Sequence, residues 1–373
     1  MTGMNIFERK PVLRWVAPLA FVAVVGGTTG IVATATAEDK LAPISAEDLL
    51  VKVQNAKVDT LSGTVVQDSN LGLPSLPGVG SDDASLTSLL SGTHTLGVWH
   101  SGPDKARLQV QGTNDETDVI VNGKDVWQWS YKDNTATHRT LTAPTAEQRK
   151  SFEGDAPADL PKTPEEAAQR ALDAVAPTTQ VTTDGTAEVA GIQAYELVLT
   201  PKDDNSLVTQ VRIAVDGTRF IPLRVQVIAG AADPVFQVAY SNISFDRPDD
   251  AQFTFKAPPG AEVKEIAPKA DQSTGKLTQK QLEARKAEHE AKADDVKVVG
   301  QGWSSVVVAK TDSTASDTPA QLDQVKNALP EVSGTWGKGR LLSSAAFSAV
   351  VTDDGRIAVG SVKPELLYDA LAK

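Results

Sequence analysis

Not one of the 373 residues is a cysteine. That single absence excludes disulfides, thiol nucleophiles, cysteine-ligated metals and the cysteine-linked lipidation of bacterial exported proteins. Stability has to come from a packed core, and a chain of this length can build one. Basic charge is also in short supply: 36 Lys and Arg stand against 48 Asp and Glu, a formal net charge of −12. Such a surface repels phosphate backbones, so nucleic acid is not expected as a partner. Histidine is scarce too, with four residues, His94, His100, His138 and His289. Their spacing fits no zinc pattern such as H-E-x-x-H. His94 and His100 fall on one face of one strand, roughly 20 Å apart, too far to share a metal, and read as surface histidines.

The motifs of catalysis are missing as well. There is no G-x-S-x-G elbow and no phosphate-binding glycine loop. Gly334, Gly337 and Gly339 read as a turn, and Asp353-Asp354-Gly355 lacks the later ligands of a calcium loop. The carboxylate pairs Asp203-Asp204 and Asp249-Asp250 fall in turns. No catalytic residue, metal site or cofactor is expected, and the chain reads as a non-enzyme.

What is present begins with an export signature. Lys10 and Arg14 precede an apolar run from Trp15 to Val25, and Ala35-Thr36-Ala37 before Glu38 fits an A-x-A cleavage site. Residues 1–37 are therefore a signal peptide or, if uncleaved, an N-terminal membrane anchor, since Trp15 to Ala37 is long enough to span a bilayer. Either way the rest of the chain faces outside the cytoplasm, secreted or held on the outer face of the membrane.

Two short helices and a long series of strands follow. Ser45 with Asp48 starts an amphipathic helix whose Leu49, Leu50, Val53 and Ala56 share a face. A second helix starts at Thr163, Pro164 and Glu166 and carries Leu172 on its apolar side. Period-two alternation marks strands at 64–67, 93–100, 105–111, 117–121, 125–131 and 135–140, then again from Tyr195 to Phe255. Asn122-Gly123 and Asp216-Gly217 are hairpin turns. Residues 70–92, rich in Gly, Pro, Ser and Leu, read as an apolar flap. About ten strands with short connections imply antiparallel pairing, and two helices cannot cover that much apolar face. The expected class is α+β: a half-open, strongly curved antiparallel β-barrel with covering helices over 44–260, then a charged helical linker at 261–297. A small C-terminal α+β unit completes it at 298–373. There, Trp303–Ala309, Ala345–Thr352 and Arg356–Val362 read as strands, and 321–329 and 364–372 as helices.

The alternating large side chains are candidates to line a cavity. They are Trp99, Leu108, Val110, Trp127, Trp129, Tyr131, Tyr195, Leu197, Leu199, Val211, Ile213, Val225, Phe236 and Val238. For any one of them a filled core is the simpler reading; the set as a whole argues for a cavity.

Four short motifs, in order, carry a resemblance. Ser101-Gly102-Pro103-Asp104-Lys105-Ala106-Arg107-Leu108, Val121-Asn122-Gly123-Lys124-Asp125-Val126-Trp127-Gln128-Trp129, Tyr195-Glu196-Leu197-Val198-Leu199-Thr200-Pro201-Lys202 and the run from Ile243 to Gly260 resemble the strand signatures of the LolA-like lipoprotein carrier proteins. Val359 to Leu367 resembles the C-terminal end of the MucB/RseB-type periplasmic regulators, departing from it at Lys363. The resemblance implies a half-barrel whose helices form a lid over acyl chains. It makes Arg107 the counterpart of the carrier's gating arginine, although a rim arginine with an ordinary surface bond is the alternative. Leu49, Leu50, Val53 and Leu172 would belong to the lid.

Three functions then compete. The first is an exported, membrane-proximal protein that binds lipid or acylated lipoprotein, for transport or sensing. The second is a regulatory protein that binds a membrane anti-sigma factor, or another envelope protein, through its C-terminal unit. The third, an envelope enzyme, has no site in the sequence.

Overall fold

In the computed structural model, residues 41–73, 88–112, 115–141, 173, 175–230, 233–266, 296–310 and 328–373 are described. Residues 1–37, read as a signal peptide or membrane anchor, most of the apolar flap, most of the expected helices at 163–177 and 321–329, Leu172, and most of the charged linker lie outside them.

Helix α1 (Ala46–Asn55) begins where the capping residues place it. Ser45 Oγ accepts from the Asp48 amide at 3.0 Å and donates to its carboxylate at 2.7 Å. The strands then come in one long series: β1 (Thr60–Ser69), β2 (Gly92–Ser101), β3 (Lys105–Gln111), β4 (Glu116–Asn122), β5 (Asp125–Ser130), β6 (Thr135–Thr140), β7 (Thr179–Val189), β8 (Ile192–Pro201), β9 (Val208–Asp216), β10 (Pro222–Ala229), β11 (Pro234–Ser244) and β12 (Glu262–Ile266). They form one 12-stranded sheet in the order β12-β6-β5-β4-β3-β2-β1-β11-β10-β9-β8-β7. Only β12 and β6 run parallel; the other pairs are antiparallel. The order leaves two edges, β12 and β7, so the sheet is an open half-barrel. Register shifts at Thr64/Val65, Asp184/Ala187, Pro222/Arg224 and Val227/Ile228 insert extra residues, the local device that bends and twists a sheet.

The second sheet has six strands: β13 (Val296–Val299), β14 (Val306–Lys310), β15 (Glu331–Gly334), β16 (Gly337–Ser343), β17 (Ser348–Thr352) and β18 (Arg356–Gly360), ordered β13-β14-β18-β17-β16-β15. Helix α2 (Pro364–Leu371), with proline in its first turn, lays Leu367, Ala370 and Leu371 on Val306, Val308, Val350 and Ala358. Arg356 ties this unit together: it donates to Leu371 O at 2.8 Å, to Trp336 O at 2.7 Å and to Asp354 Oδ2 at 2.9 Å. A cation at the carbonyl end of a helix is placed where the helix dipole favours it. Asp354 is held well below the usual carboxylate range, at about 2, first by Arg356 and then by the Thr352 hydroxyl.

Several elements differ from expectation. Strand β7 was hidden by its threonines and by Asp184-Gly185, which marks a bulge rather than a turn. Strand β12 was hidden by its charges: Glu262 to Ile266, read as linker, instead extend the large sheet past residue 260. Likewise β13 starts the small sheet at 296, and β15 and β16 form a hairpin around the glycines read as a turn. Phe253, expected in a strand, ends a short 3-10 turn capped by Asp249. Trp303 also sits in a 3-10 turn, before β14 begins. The two sheets meet. Leu207 N donates to Ser361 O and Ala345 N to Leu71 O, each at 2.7 Å. Val208, Val227 and Ala229 of the large sheet bury Ala346 of the small one, with Trp303 packed alongside.

Candidate functional site

The register defines two faces of the large sheet. Directly paired residues share a face, so one face runs Leu197, Ile213, Val225, Val238, Gln67 and His94 across β8, β9, β10, β11, β1 and β2. It continues through the pairs Val65–Leu96, Leu96–Val110 and Leu108–Val119. Helix α1 lies on this face: Leu49 packs with Tyr195, Leu197 and Val215, and Leu50 and Val53 join them. The segment entering α1 is fastened there too, since Tyr195 Oη donates to Ala42 O at 2.9 Å and Thr183 Oγ1 to Ile44 O at 2.7 Å. We call it the helix face.

Ten candidate lining residues fall on the helix face: Leu108, Val110, Tyr195, Leu197, Leu199, Val211, Ile213, Val225, Phe236 and Val238. Tyr195, Leu197 and Val110 are buried, while Leu108, Leu199, Val211, Ile213, Val225, Phe236 and Val238 are half-buried. Leu89 of the flap's described base packs on Val65, Leu96 and Val110. At the other end of the face, Val211 and Phe236 pack against the cluster that joins the C-terminal unit.

The tryptophans lie elsewhere. Trp99 pairs with Arg107, Arg107 with Ile120, Ile120 with Trp127 and Trp127 with His138, all on the opposite, far face. Trp129 shares that face, and Tyr131 lies in the turn after β5, 64% exposed. At its β3–β6 end the far face is covered by the chain after β11. Phe255 stands 4.9 Å from Trp127 and 5.8 Å from Trp129, and Phe253 is 1% exposed. Trp99 lies along its own strand over Gly97, where any side chain would collide with the indole. These rings therefore lie on the opposite face from the ten residues above, because alternation within β5 groups Trp127 with Trp129 without saying which face of the sheet they take. Alternation alone then leaves the phase undetermined.

Arg107 is on the far face as well. Its Nε donates to Asp118 Oδ1 at 2.8 Å, its Nη1 to Gln252 at 3.2 Å, and its guanidinium sits 5.2 Å from the Trp99 ring centre. These contacts clamp the 3-10 turn at Asp250–Phe253 to β3 and β4 and do not reach α1 on the other face. Next to it, burial and the bond with Asp118 push the Glu116 carboxyl above its usual range. Further along the far face Glu196 is buried between two guanidinia, 2.7 Å from Arg224 and 3.2 Å from Arg212. Those three, with Asp184, Ala187 and Glu188, line a polar cleft of about 350 Å³. A second cleft, about 390 Å³, is lined by residues 68–73, Ser91 and Gly92 at the flap's base.

Both strand histidines of β2 are buried on the helix face, not exposed as expected. His94 places Nε2 2.9 Å from Ser91 O. Burial lowers His100 below the ordinary imidazole range despite bonds to the Val58 and Lys105 backbone. On the far face, His138 is bracketed by Asp125 at 2.9 Å and Glu265 at 2.8 Å and stacks on Trp127 at 4.1 Å. Burial pulls its pKa down, but the two carboxylates outweigh that and the net direction is up. Among the described residues no three side chains converge as metal ligands, and no helix is long and apolar enough to cross a membrane.

Residues 83–267 match the family model of a predicted periplasmic protein (DUF2092), and the chain is an extracytoplasmic protein. No curated protein matches the sequence. Among solved structures it is similar to Pseudomonas aeruginosa MucB in complex with MucA, at 14% identity over 87% of this chain and 96% of that one, with a TM-score of 0.42. It is also similar to an uncharacterized conserved protein from Thermus thermophilus, at 11% identity over 59% of this chain and 99% of that one, with a TM-score of 0.34. A LolA superfamily protein from Nitrosomonas europaea is similar at 12% identity over 57% of this chain and 99% of that one, with a TM-score of 0.20.

Proposed function

We propose that this chain is an extracytoplasmic binding protein that holds the acyl chains of a lipid or lipoprotein against the helix face of its half-barrel. One observation carries the reading: an apolar row runs from β8 to β3 through half-buried Leu199, Val211, Ile213, Val225, Phe236, Val238 and Leu108, while among the described residues α1 packs on its β7–β9 end. Each methylene taken from water onto such a face gains about 0.8 kcal/mol. A ten-carbon chain would therefore gain roughly 8 kcal/mol before the cost of association, enough for micromolar binding if that cost is small. In this reading residues 1–37 export or anchor the chain, 44–260 bind the ligand, and 298–373 meet an envelope protein. The role is transport or sensing, without catalysis.

The test is titration of the exported chain with a fluorescent acyl probe. Val238→Gln and Ile213→Gln are expected to weaken binding about tenfold or more, since each sets a polar amide on the row. Tyr131→Ser, exposed in its turn, is expected to leave binding unchanged. Wild-type protein that is folded yet binds no probe would remove the acyl reading. The regulatory reading would then lead, with a membrane anti-sigma factor or another envelope protein as partner. What favours it is a second apolar row, Val298, Val307, Val359 and Ala349, on the small sheet's face away from α2, with Val359 37% exposed.

A further inference from the structure

Strand β1 sends Leu61, Val65, Gln67 and Ser69 to the helix face. Gln67 is the exception among them. It is 2% exposed, and neither its Oε1 nor its Nε2 has a hydrogen-bond partner. Buried amides with both ends unmatched are rare in folded proteins, and each such group calls for an explanation. Its cross-strand neighbours are Val238 on one side and His94, itself 3% exposed, on the other. Val65 and Leu96 flank that pair along the strands. The flap-base cleft opens at this end of the same two strands, lined by Ser69, Ser91 and Gly92 beside the apolar Leu71 and Leu73. A polar donor and acceptor thus stand inside an apolar face, next to an opening.

The chemistry of the surroundings narrows what could satisfy them. The neighbouring helix-face positions, Val65, Ser69, His94, Leu96, Phe236 and Val238, include no lysine or arginine. A carboxylate or phosphate brought here would be buried without a cation, at heavy cost. A neutral carbonyl can accept from Nε2–H, and an amide N–H or hydroxyl can donate to Oε1. We infer that Gln67 is the polar anchor of the acyl site, recognising the neutral ester or amide carbonyl at the head of the acyl chain rather than an ionised acid. The inference rests on the acyl-binding reading and adds to it the class of head group.

The experiment displaces diphenylhexatriene from the exported chain with three ten-carbon probes: didecanoylglycerol, an N-decanoyl peptide and decanoate at pH 8. Ester and amide probes are expected to compete about tenfold better than decanoate. Gln67→Leu is expected to remove that advantage while binding the apolar dye as before, about the worth of one lost hydrogen bond. It should also raise the unfolding midpoint, because an unmatched amide leaves the core. An amide preference over ester assigns an N-acylated protein as the source, and equal or better binding of the ester assigns a glycerolipid. If Gln67→Leu binds the dye and all three probes as wild type does, the anchor is overturned and the acyl-binding reading stands. If wild-type protein binds neither dye nor probe, the acyl-binding reading falls and the anchor falls with it. Should Gln67→Leu fail to fold, wild-type selectivity and Gln67→Met decide: no preference over decanoate, or a preference unchanged by methionine, overturns the anchor.

Discussion

The two faces of the large sheet bury apolar surface by different means. On the far face the chain folds back on itself. Phe255 packs on Trp127 and Trp129, Phe253 beside it is fully buried, and Arg107 pins the 3-10 turn that delivers them. On the helix face, α1 covers β7 to β9 and Leu89 touches the middle, while Val225 and Val238 stay half-buried between them. One face is thus closed by a distant stretch of the same chain, while on the other, among the described residues, apolar side chains stay half-buried. A sheet can bury aromatic rings on one side for stability and use smaller β-branched residues on the other for binding.

The sharpest way to break the contrast is to empty the locked face. Phe253→Ala is expected to cost about 3–5 kcal/mol in urea unfolding, as large-to-small changes at fully buried aromatics do, while the folded fraction still binds an acyl probe. Loss of probe binding with unchanged stability would exchange the roles of the faces.

A smaller effect separates the faces by pH. His100, on the helix face, has its pKa lowered by burial, so between its folded pKa and about 6.5 the unfolded chain binds the extra proton. Its stability contribution is therefore present above about pH 6.5 and lost on acidification. His100→Gln is expected to flatten the fall in melting temperature below that pH. A fall of equal size in the variant would show that another group titrates.

The smallest expected effect has the opposite sign. The pKa of His138, on the far face, is raised by Asp125 and Glu265, so its contribution is full below about pH 6.5 and lost as pH rises through the folded value. Both carboxylates are more than half exposed, so His138→Gln should cost no more than about 1 kcal/mol, and less in high salt. Hydrogen exchange at Glu262 to Ile266 would read it, because His138 holds Glu265 of the edge strand β12. Exchange there that is insensitive to both pH and the substitution would leave β12 held by its ladder alone.

Much of the half-barrel was legible in the sequence. The Ser45–Asp48 cap, the Asn122-Gly123 turn and the alternation of β8 to β11 are local signals, and each formed where it was read. The missed strands failed for local reasons too, since charge concealed β12 and a bulge at Asp184 concealed β7. For the proposed site, it was readable that Tyr195, Ile213 and Val238 share an apolar face, because polar residues mark the other face of those strands. The tryptophans lie on the other face from these because alternation within a strand groups residues by face but does not say which face of the sheet each group takes. Gln67 was not readable at all: in Thr64-Val65-Val66-Gln67 it looks like the solvent side of a strand.

By itself, then, the sequence determined the export signature, the absence of cysteine chemistry, the strand-rich class and the turns, because each depends on residues within a few positions of one another. Only the tertiary structure decided which face α1 covers, that the chain after β11 locks the tryptophan side, and that Gln67 is sealed from water with its amide unmatched. These depend on the pairing of strands far apart in the chain, where a shift of one residue turns every side chain to the opposite face.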